Sequence, residues 1–332
     1  MCKKLTILVS VMLLSVLAAC SGSAESESDS IETITFSDAG WDSQRVHNEI
    51  AGTIIENGFD YETDVTTGSS PAVVQGLRQG DIQVMMEFWV DNMQEEYDEA
   101  IEKNEIKEAS VNFDDNKQGY WVPTYVIEGD EERGIEPMAP DLKTVADLKK
   151  YPELFQDPED PDKGRVYGSP SGFAADKMLE PKLDAYNLDN FNYFRPGSSA
   201  GLATSLADAY EAGEAWVGYY WSPTWVTSVF DITLLEEPEY NEEQFKENYG
   251  TEIPPTKVTV AVHSDFPDQA PEVYDFLENY ETSNKLTQSA LGYMKENEAS
   301  AEEAAHWWLK EHEDVWTEWV SEDVVTKVKD AI

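Results

Sequence analysis

The chain of 332 residues has only two cysteines, Cys2 and Cys20, and both lie within its first twenty positions. The rest of the sequence therefore has neither a disulfide nor thiol chemistry, and its stability must come from a buried core. About 300 residues are enough to form such a core, and this length favours two lobes over one.

Basic residues are also scarce. The sequence has 23 lysines and arginines against 67 acidic residues, a formal net charge of -44. Such a balance excludes nucleic acid and anionic membrane surfaces as partners. The acidic residues are scattered, which indicates solvated helix faces and loops and a protein kept soluble in salty or alkaline surroundings. Attraction of a cationic ligand is the weaker alternative, because salt screens it.

The sequence lacks the patterns that would indicate catalysis or a bound metal. Its four histidines, His47, His263, His306 and His312, are dispersed without metal-ligand spacing, so we predict no metal site. It has no glycine-rich phosphate loop, no nucleophile elbow and no convincing Ser/His/Asp order. We therefore predict a protein that is not an enzyme and that has no cofactor.

One long apolar run is present, Leu5–Ala19, directly after Lys3 and Lys4. It is too short to span a bilayer, and with its basic start it is typical of an export signal. The tetrad Leu17-Ala18-Ala19-Cys20 resembles a bacterial lipobox. That resemblance implies cleavage before Cys20 and lipid attachment to this residue; the alternative is an ordinary secretory signal with a chance cysteine.

The start of the chain therefore predicts an extracytoplasmic protein that is anchored to the cell membrane through a lipid on Cys20. Residues 1–19 form the predicted signal peptide. Residues 20–30 are rich in serine and glutamate and form a predicted flexible tether.

Short apolar runs alternate with helical patterns along the remaining chain, which is typical of α/β lobes with crossover helices. The pattern changes near Gly119–Val126, where an apolar segment ends in residues that favour a β-strand. We interpret this segment as the first crossing into a second lobe. We predict lobe 1 at 31–119 and 240–332, lobe 2 at 120–239, and a ligand cleft between them.

The predicted strands are Ile31–Phe36, Tyr61–Val65, Ile82–Phe88, Arg165–Gly168, Trp216–Tyr220, Asp231–Leu235 and Val258–His263. The predicted helices are Ser43–Asn57, Pro71–Gln79, Asn92–Lys103, one that begins at Thr144–Lys149, Ala174–Tyr186, Ala200–Ala212, Glu272–Glu281, Ser283–Asn297 and Ala301–Val320. Gly58 is predicted to end the first of these helices, and Tyr151–Lys163 is predicted to be a loop rich in proline and aspartate.

Four aromatic residues occupy equivalent places in this pattern: Trp41, Trp89, Phe173 and Trp221 each follow a predicted strand. In open α/β sheets, ligands bind at the carboxyl ends of the strands. Ring faces attract a quaternary ammonium ion, which cannot donate an N–H hydrogen bond. The pattern therefore predicts a receptor for a small methylated cation.

The neighbours of these rings admit more than one interpretation. Gly40 permits an unusual turn before Trp41, and Ser43 is a candidate cap for the helix that follows. Gly172 allows close backbone approach beside Phe173. Glu87 is equally consistent with a ligand contact and with a buried acid held by an ion pair or hydrogen bonds.

Other aromatic and basic residues fit supporting roles better. Trp225 is predicted to support Trp221 rather than to contact a ligand, and Arg195 is a secondary candidate for binding a ligand carboxylate. Core packing is the better explanation for the C-terminal tryptophans: Trp307, Trp308, Trp316 and Trp319.

At these residues the chain resembles the extracytoplasmic solute-binding proteins of ABC importers for glycine betaine, choline and related osmoprotectants. The resemblance runs from about Thr33 to Val320. Its most specific element is Trp-x-Pro-x-Trp at Trp221–Trp225, preceded by Tyr219 and Tyr220. The other matching segments are Ser37–Trp41, Gly80–Trp89, Gly119–Tyr125 and Trp307–Trp319.

The resemblance implies a type II periplasmic-binding-protein-like fold with a box of rings around a trimethylammonium group. The implied box uses Trp41, Trp89 and Trp221, with Trp121 or its neighbour Tyr120 as a fourth wall. Phe173 stands where some relatives carry tryptophan. The full predicted ligand-binding set is Trp41, Trp89, Trp121, Tyr120, Phe173, Trp221, Gly40 and Gly172.

The implied function is capture of glycine betaine first, or choline second, by a monomer that delivers it to an ABC permease and its ATPase. A surface glycoside hydrolase or a carbohydrate-binding lipoprotein is the alternative, since tryptophans and acids also suit sugars. Hydrolysis would need two carboxylates at a defined separation, and the sequence singles out no such pair. An adhesin is a third, less favoured class.

Overall fold

The computed structural model describes residues 31–332. The predicted signal peptide, tether and lipidation site at Cys20 lie outside the described residues. Within the described range, no helix has both the length and the apolar character that crossing a bilayer requires.

Strands and helices alternate through most of the chain. The strands are β1 Thr33–Asp38, β2 Glu62–Thr67, β3 Val84–Trp89, β4 Ile106–Phe113, β5 Lys117–Pro123, β6 Gln156–Asp157, β7 Asp160–Tyr167, β8 Phe191–Phe194, β9 Gly218–Ser222, β10 Ile232–Leu234 and β11 Val258–His263. The α-helices are α1 Asp42–Phe59, α2 Ser70–Gln79, α3 Gln94–Glu102, α4 Thr124–Glu128, α5 Asp176–Ala185, α6 Ser199–Ala212, α7 Trp225–Val229, α8 Glu242–Asn248, α9 Phe266–Gln269, α10 Pro271–Glu278, α11 Asn284–Asn297, α12 Ala301–Glu311, α13 Glu313–Trp316 and α14 Glu322–Ala331. The 3-10 helices are Val90–Met93 and Val145–Lys150.

The strands form two sheets, and each sheet is the centre of one lobe. The first sheet has the order β2-β1-β3-β11-β4, with β1 parallel to β2 and β3, and β11 antiparallel to both neighbours. The second has the order β10-β5-β9-β7-β6, with β8 added beside β7. The predicted two-lobed α/β architecture is thus confirmed.

The 18-residue helix α1 shows how the sequence builds the first lobe. Val46, Ile50 and Ile54 recur at helical spacing and are fully buried. Gly58 was predicted to end this helix, but it lies inside it, and α1 continues to Phe59. A Cβ at Gly58 would come within 2.6 Å of a methyl group of Val324, so this glycine lets α14 pack closely against α1.

The chain crosses between the sheets twice, and the two crossings are hydrogen-bonded to each other. The backbone N–H of Thr256 donates to Asn116 Oδ1 at 3.0 Å, and the Asn116 amide donates to the Thr256 carbonyl. Gln118 Nε2 donates to Thr256 Oγ1 at 3.1 Å. These three side chains are buried. We call this set the crossing cluster, and it ties together the two segments about which the lobes would move.

The crossings lie at different positions from the predicted lobe limits. β5 begins at Lys117, before the predicted limit at 119/120, and belongs to the second sheet. Residues beyond the predicted limit at 239/240 still pack on the second lobe, since the carbonyl of Thr251 accepts a hydrogen bond from Lys182. We therefore propose lobe limits near 114–116 and 254–257.

Several predicted elements also differ from the structure. The strand β4 was not predicted, and the segment 151–163, predicted as a loop, contains β6 and the start of β7. The predicted helix Ala301–Val320 breaks at His312 into α12 and α13. Trp221 lies within β9 rather than after it. The strand β4 lies at the edge of its sheet, and β6 and the start of β7 are rich in polar residues, so these segments show no clear apolar period.

The segment returning from the second lobe is fixed by a buried ion pair. Lys182, on α5, contacts Glu237, and their side chains are 0% and 2% exposed. Tyr186 donates a further hydrogen bond to the same carboxylate oxygen at 2.7 Å. Burial lowers the pKa of Lys182 and raises the pKa of Glu237. The pair therefore holds α5 firmly against residues 237–251.

We expect Lys182→Met to lower the free energy of unfolding by about 3–5 kcal/mol, because it leaves the Glu237 carboxylate buried without a counter-charge. Lys246→Met is the matched control. It removes a lysine from an ion pair with Glu242 whose side chains are 74% and 68% exposed, and should cost less than about 1 kcal/mol. Urea unfolding of both variants measures the difference. Equal effects would contradict a structural role for the buried pair.

Candidate functional site

Four of the predicted aromatic residues line one cavity between the two lobes. Trp41 and Trp89 reach it from the first lobe, and Phe173 and Trp221 reach it from the second. The cavity has a volume of about 30 Å³. The complete lining is Trp41, Ser70, Trp89, Asn92, Met93, Phe173, Ala174, Ala175, Tyr219 and Trp221.

Phe173 joins the rings of the two lobes. Its ring centroid lies 5.3 Å from Trp41 and 5.8 Å from Trp221, edge-to-face in both cases. Trp221 in turn stacks against Tyr219 at 5.6 Å and Tyr220 at 5.3 Å. Pairs of this geometry stabilise each other beyond their buried area. The rings therefore form a continuous aromatic wall that spans the cleft.

The two predicted glycines shape this wall from outside the cavity. Gly40 has φ +96° and forms the turn that leads into Trp41. Gly172 has φ +90°, and a Cβ there would lie 3.2 Å from Ser69 of the opposite lobe. Neither glycine lines the cavity. Their conformational freedom serves the turns that place Trp41 and Phe173.

A buried carboxylate lies behind the rings of the first lobe. Glu87 Oε2 accepts hydrogen bonds from Trp41 Nε1 at 2.7 Å and from Trp89 Nε1 at 3.1 Å. The Ser43 hydroxyl donates to the same oxygen at 3.2 Å. Glu87 is fully buried and does not line the cavity. Of its two sequence interpretations, the structure supports the hydrogen-bonded buried acid.

These contacts also correct the role predicted for Ser43. The residue preceding α1 is Trp41, and no side chain caps this helix. The Ser43 hydroxyl points to Glu87 instead, because Glu87 is a buried acceptor that needs donors. Ser43 therefore supports the cavity wall rather than the helix end.

His47 lies next to Glu87 and is neutral. Its Nε2 is 3.7 Å from Glu87 Oε1, and its ring nitrogens contact the hydroxyls of Tyr280 at 2.7 Å and Thr287 at 3.2 Å. Burial lowers the pKa of His47 to about 3 and raises the pKa of Glu87 to about 7. The histidine therefore does not neutralise the carboxylate near neutral pH.

The polar part of the cavity wall carries no formal charge. Ser70 and Asn92 supply side-chain polar groups, and no lysine, arginine, aspartate or glutamate is among the lining residues. Ala174 and Ala175 directly precede α5. The lining thus combines aromatic rings with uncharged polar groups.

The predicted fourth wall is not in this cavity. Tyr120 is fully buried and donates its hydroxyl hydrogen to the Leu179 carbonyl at 2.8 Å. Trp121 donates its indole N–H to the Tyr220 carbonyl at 3.0 Å and lines a separate surface cavity. The prediction placed both residues at the crossing between the lobes. In the structure they lie inside β5, several positions after that crossing. Phe173 and Tyr219 occupy the wall instead.

Sequence reasoning overlooked Tyr219 as a lining residue, although a signal was available. Tyr219 and Trp221 are two positions apart on β9, and residues at that spacing share one face of a strand. Asn92 gave no such signal. It follows β3 in a 3-10 helix, and its contact with Gln118 depends on the folding of a distant segment.

The secondary candidates lie elsewhere. Arg195 is paired with Asp176 and Glu180 and does not line the cavity. Trp225 lies at the start of α7, with Lys295 Nζ 4.5 Å from its ring centroid. Trp308, Trp316 and Trp319 are buried in the core, and Trp307 stacks on Tyr293 at 4.5 Å.

Comparisons with known proteins are consistent with this geometry. The family profile described as the substrate binding domain of an ABC-type glycine betaine transport system matches residues 32–311. A trimethylamine N-oxide-binding protein of Pelagibacter ubique (strain HTCC1062) is 25% identical over 322 residues, which is 95% of this chain and 98% of the relative.

Solved structures share the fold. An ABC-transporter choline binding protein in complex with choline has a TM-score of 0.71 and 23% identity, and covers 90% of this chain and 98% of its own. Lactococcal OpuAC, closed and complexed with glycine betaine, has a TM-score of 0.69 and 18% identity, and covers 88% of this chain and 100% of its own. The periplasmic-binding-protein-like fold is thereby confirmed.

The neutrality of His47 generates a pH prediction. An unfolded histidine titrates near pH 6.5, so below that pH the unfolded state binds more protons at this site than the folded state does. The contribution of neutral His47 is full above about pH 6.5 and is lost as the pH falls toward 3. Between pH 7 and pH 5, wild type should lose ~2 kcal/mol more unfolding free energy than His47→Gln.

Urea unfolding at the two pH values measures this difference. His306→Gln, a substitution of a partly exposed histidine on α12, serves as the control and should keep the wild-type pH dependence. A His47→Gln variant with the same pH dependence as wild type would contradict the prediction.

Proposed function

Because the chain belongs to the family of substrate-binding domains of ABC-type glycine betaine transport systems, we propose that it captures a small quaternary ammonium osmoprotectant. Glycine betaine is the first candidate and choline the second. The protein delivers the bound molecule to a membrane permease and its ATPase. Proteins of this family work outside the cytoplasm, and we propose that a lipid on Cys20 holds this one at the membrane.

The observation that carries the proposal is the convergence of rings from both lobes on one cavity. Trp41, Trp89, Phe173 and Trp221 are contributed by four separate chain segments and line the same space. Each ring that faces a desolvated cation contributes roughly 1–2 kcal/mol. Three or four such rings support micromolar affinity, roughly -8 kcal/mol, after the cost of association.

The rest of the lining favours a ligand with one small polar or anionic group beside its cation. The backbone at Ala174 and Ala175 and the side chains of Ser70 and Asn92 supply that edge of the cavity. A carboxylate or hydroxyl there accepts or donates hydrogen bonds without needing an arginine. This arrangement supports glycine betaine and choline, and it also admits trimethylamine N-oxide, which the relative from Pelagibacter ubique is named for binding.

The comparisons do not favour the alternative of a glycoside hydrolase. Hydrolysis of a sugar bond needs two carboxyl groups across that bond, and the lining residues of this cavity include none. Glu87 lies behind the rings rather than in the cavity.

The direct test is calorimetric titration of the protein with glycine betaine, choline and trimethylamine N-oxide. We expect micromolar binding of at least one, roughly -8 kcal/mol. Trp221→Ala should remove measurable binding, because it deletes one ring and the stacking partner of Tyr219 and Tyr220. Trp307→Ala is the matched control, since this indole stacks on Tyr293 away from the cavity and its loss should leave affinity unchanged.

Two results would contradict the proposal: no response to any of the three ligands, or unchanged affinity in Trp221→Ala. Turnover of a glycoside would favour the alternative.

A further inference from the structure

The hydrogen bonds behind the cavity point to a second layer of the site. Trp41 directly precedes α1 and Trp89 ends β3, so the two indoles come from separate parts of the first lobe. Both direct their N–H groups at one atom, Glu87 Oε2, at 2.7 and 3.1 Å. Each indole has a single N–H donor, and both donors point at the same carboxylate oxygen. The two hydrogen bonds therefore fix the orientation of each ring relative to Glu87.

The carboxylate has no cationic neighbour. Among residues 31–332, the only basic side chain within 4.0 Å of Glu87 is His47, 3.7 Å from Oε1, and that ring is neutral. Oε1 itself has no hydrogen-bond partner among the described residues. The other titratable group that faces it is Tyr280, which contacts His47 Nδ1 and has a raised pKa. An ionised Glu87 therefore lacks a counter-charge within the protein.

On the other side of the same two indoles is the cavity assigned to the cation. A hydrogen bond from an indole N–H to an anion polarises the ring and strengthens the attraction of its face for a positive charge. The negative charge of the carboxylate also acts on the cation directly through a poorly screened, buried medium. Both effects need ionised Glu87 and both require a charged ligand.

We propose that Glu87 is a positioning residue that holds Trp41 and Trp89 and supplies the counter-charge by which the cavity selects a cation over an uncharged molecule of the same shape. This inference rests on the proposed function and extends it to a residue that the ligand does not touch. It makes ligand capture depend on pH. Burial raises the pKa of Glu87 to about 7, so the carboxylate becomes ionised as the pH rises through neutrality.

The test uses two ligands of equal shape, choline and 3,3-dimethylbutan-1-ol, in which carbon replaces the charged nitrogen. Glycine betaine and 3,3-dimethylbutanoate form the corresponding pair if the protein prefers betaine. For wild type and Glu87→Gln, calorimetry gives the affinity ratio within a pair. We expect the substitution to lower the preference for the cation by about tenfold, the effect of roughly one cation–π contact.

The pH profile is the second readout, and a purely structural role would not produce it. Wild-type affinity for the cation should rise between pH 5.5 and 8.5, and the profile of Glu87→Gln should be flat. The partner that lacks the ammonium charge should show no such rise with either protein. Glu105→Gln is the control, because it removes one negative charge from the same lobe at a pair with Arg78 and should keep the wild-type ratio and profile.

Trp41→Phe and Trp89→Phe keep a ring but each remove one N–H donor, so they test the proposal even if Glu87→Gln does not fold. Each should lower the preference for the cation. The proposal is overturned if Glu87→Gln, or both phenylalanine variants, keep the wild-type ratio and pH profile. If wild type binds none of the charged ligands, the proposed function itself fails, and the two failures are thereby distinguished.

Discussion

The candidate site depends on one buried carboxylate and the two indoles that bind it. Glu87 costs free energy to bury, and the hydrogen bonds from Trp41, Trp89 and Ser43 offset part of that cost. The same bonds fix the start of α1 relative to the end of β3. The hydrogen bonds that orient these two indoles thus lie entirely within the first lobe.

The second lobe completes the cavity through a different set of interactions. The Lys182–Glu237 pair fixes α5 against the returning chain, and the segment preceding α5 carries Phe173 and the two alanines to the cleft. The crossing cluster contacts the site as well, since Gln118 accepts a hydrogen bond from Tyr219 and exchanges two with Asn92. Residues that line the cavity are therefore bonded directly to a residue of the segments that connect the lobes.

The sequence was informative where position along a strand decides the outcome. Trp41, Trp89 and Phe173 could be placed at one site because ligands bind at the carboxyl ends of strands, and Trp221 because it lies within a specific motif. Trp121 and Tyr120 could not, since their directions depend on where β5 begins and on partners such as the carbonyls of Tyr220 and Leu179. For the same reason the sequence could not decide between two interpretations of Glu87: its three donors come together only in the fold.

The edge-to-face contact between Trp41 and Phe173 has a kinetic consequence. These rings belong to opposite lobes, lie 5.3 Å apart, and line a cavity whose tryptophans are only 5–7% exposed. A cation bound as proposed would be contacted by rings of both lobes, so opening of the lobes would remove its contacts with one lobe in a single step. The rate of that opening would then set the residence time, and a transporter that favours the open form would control release.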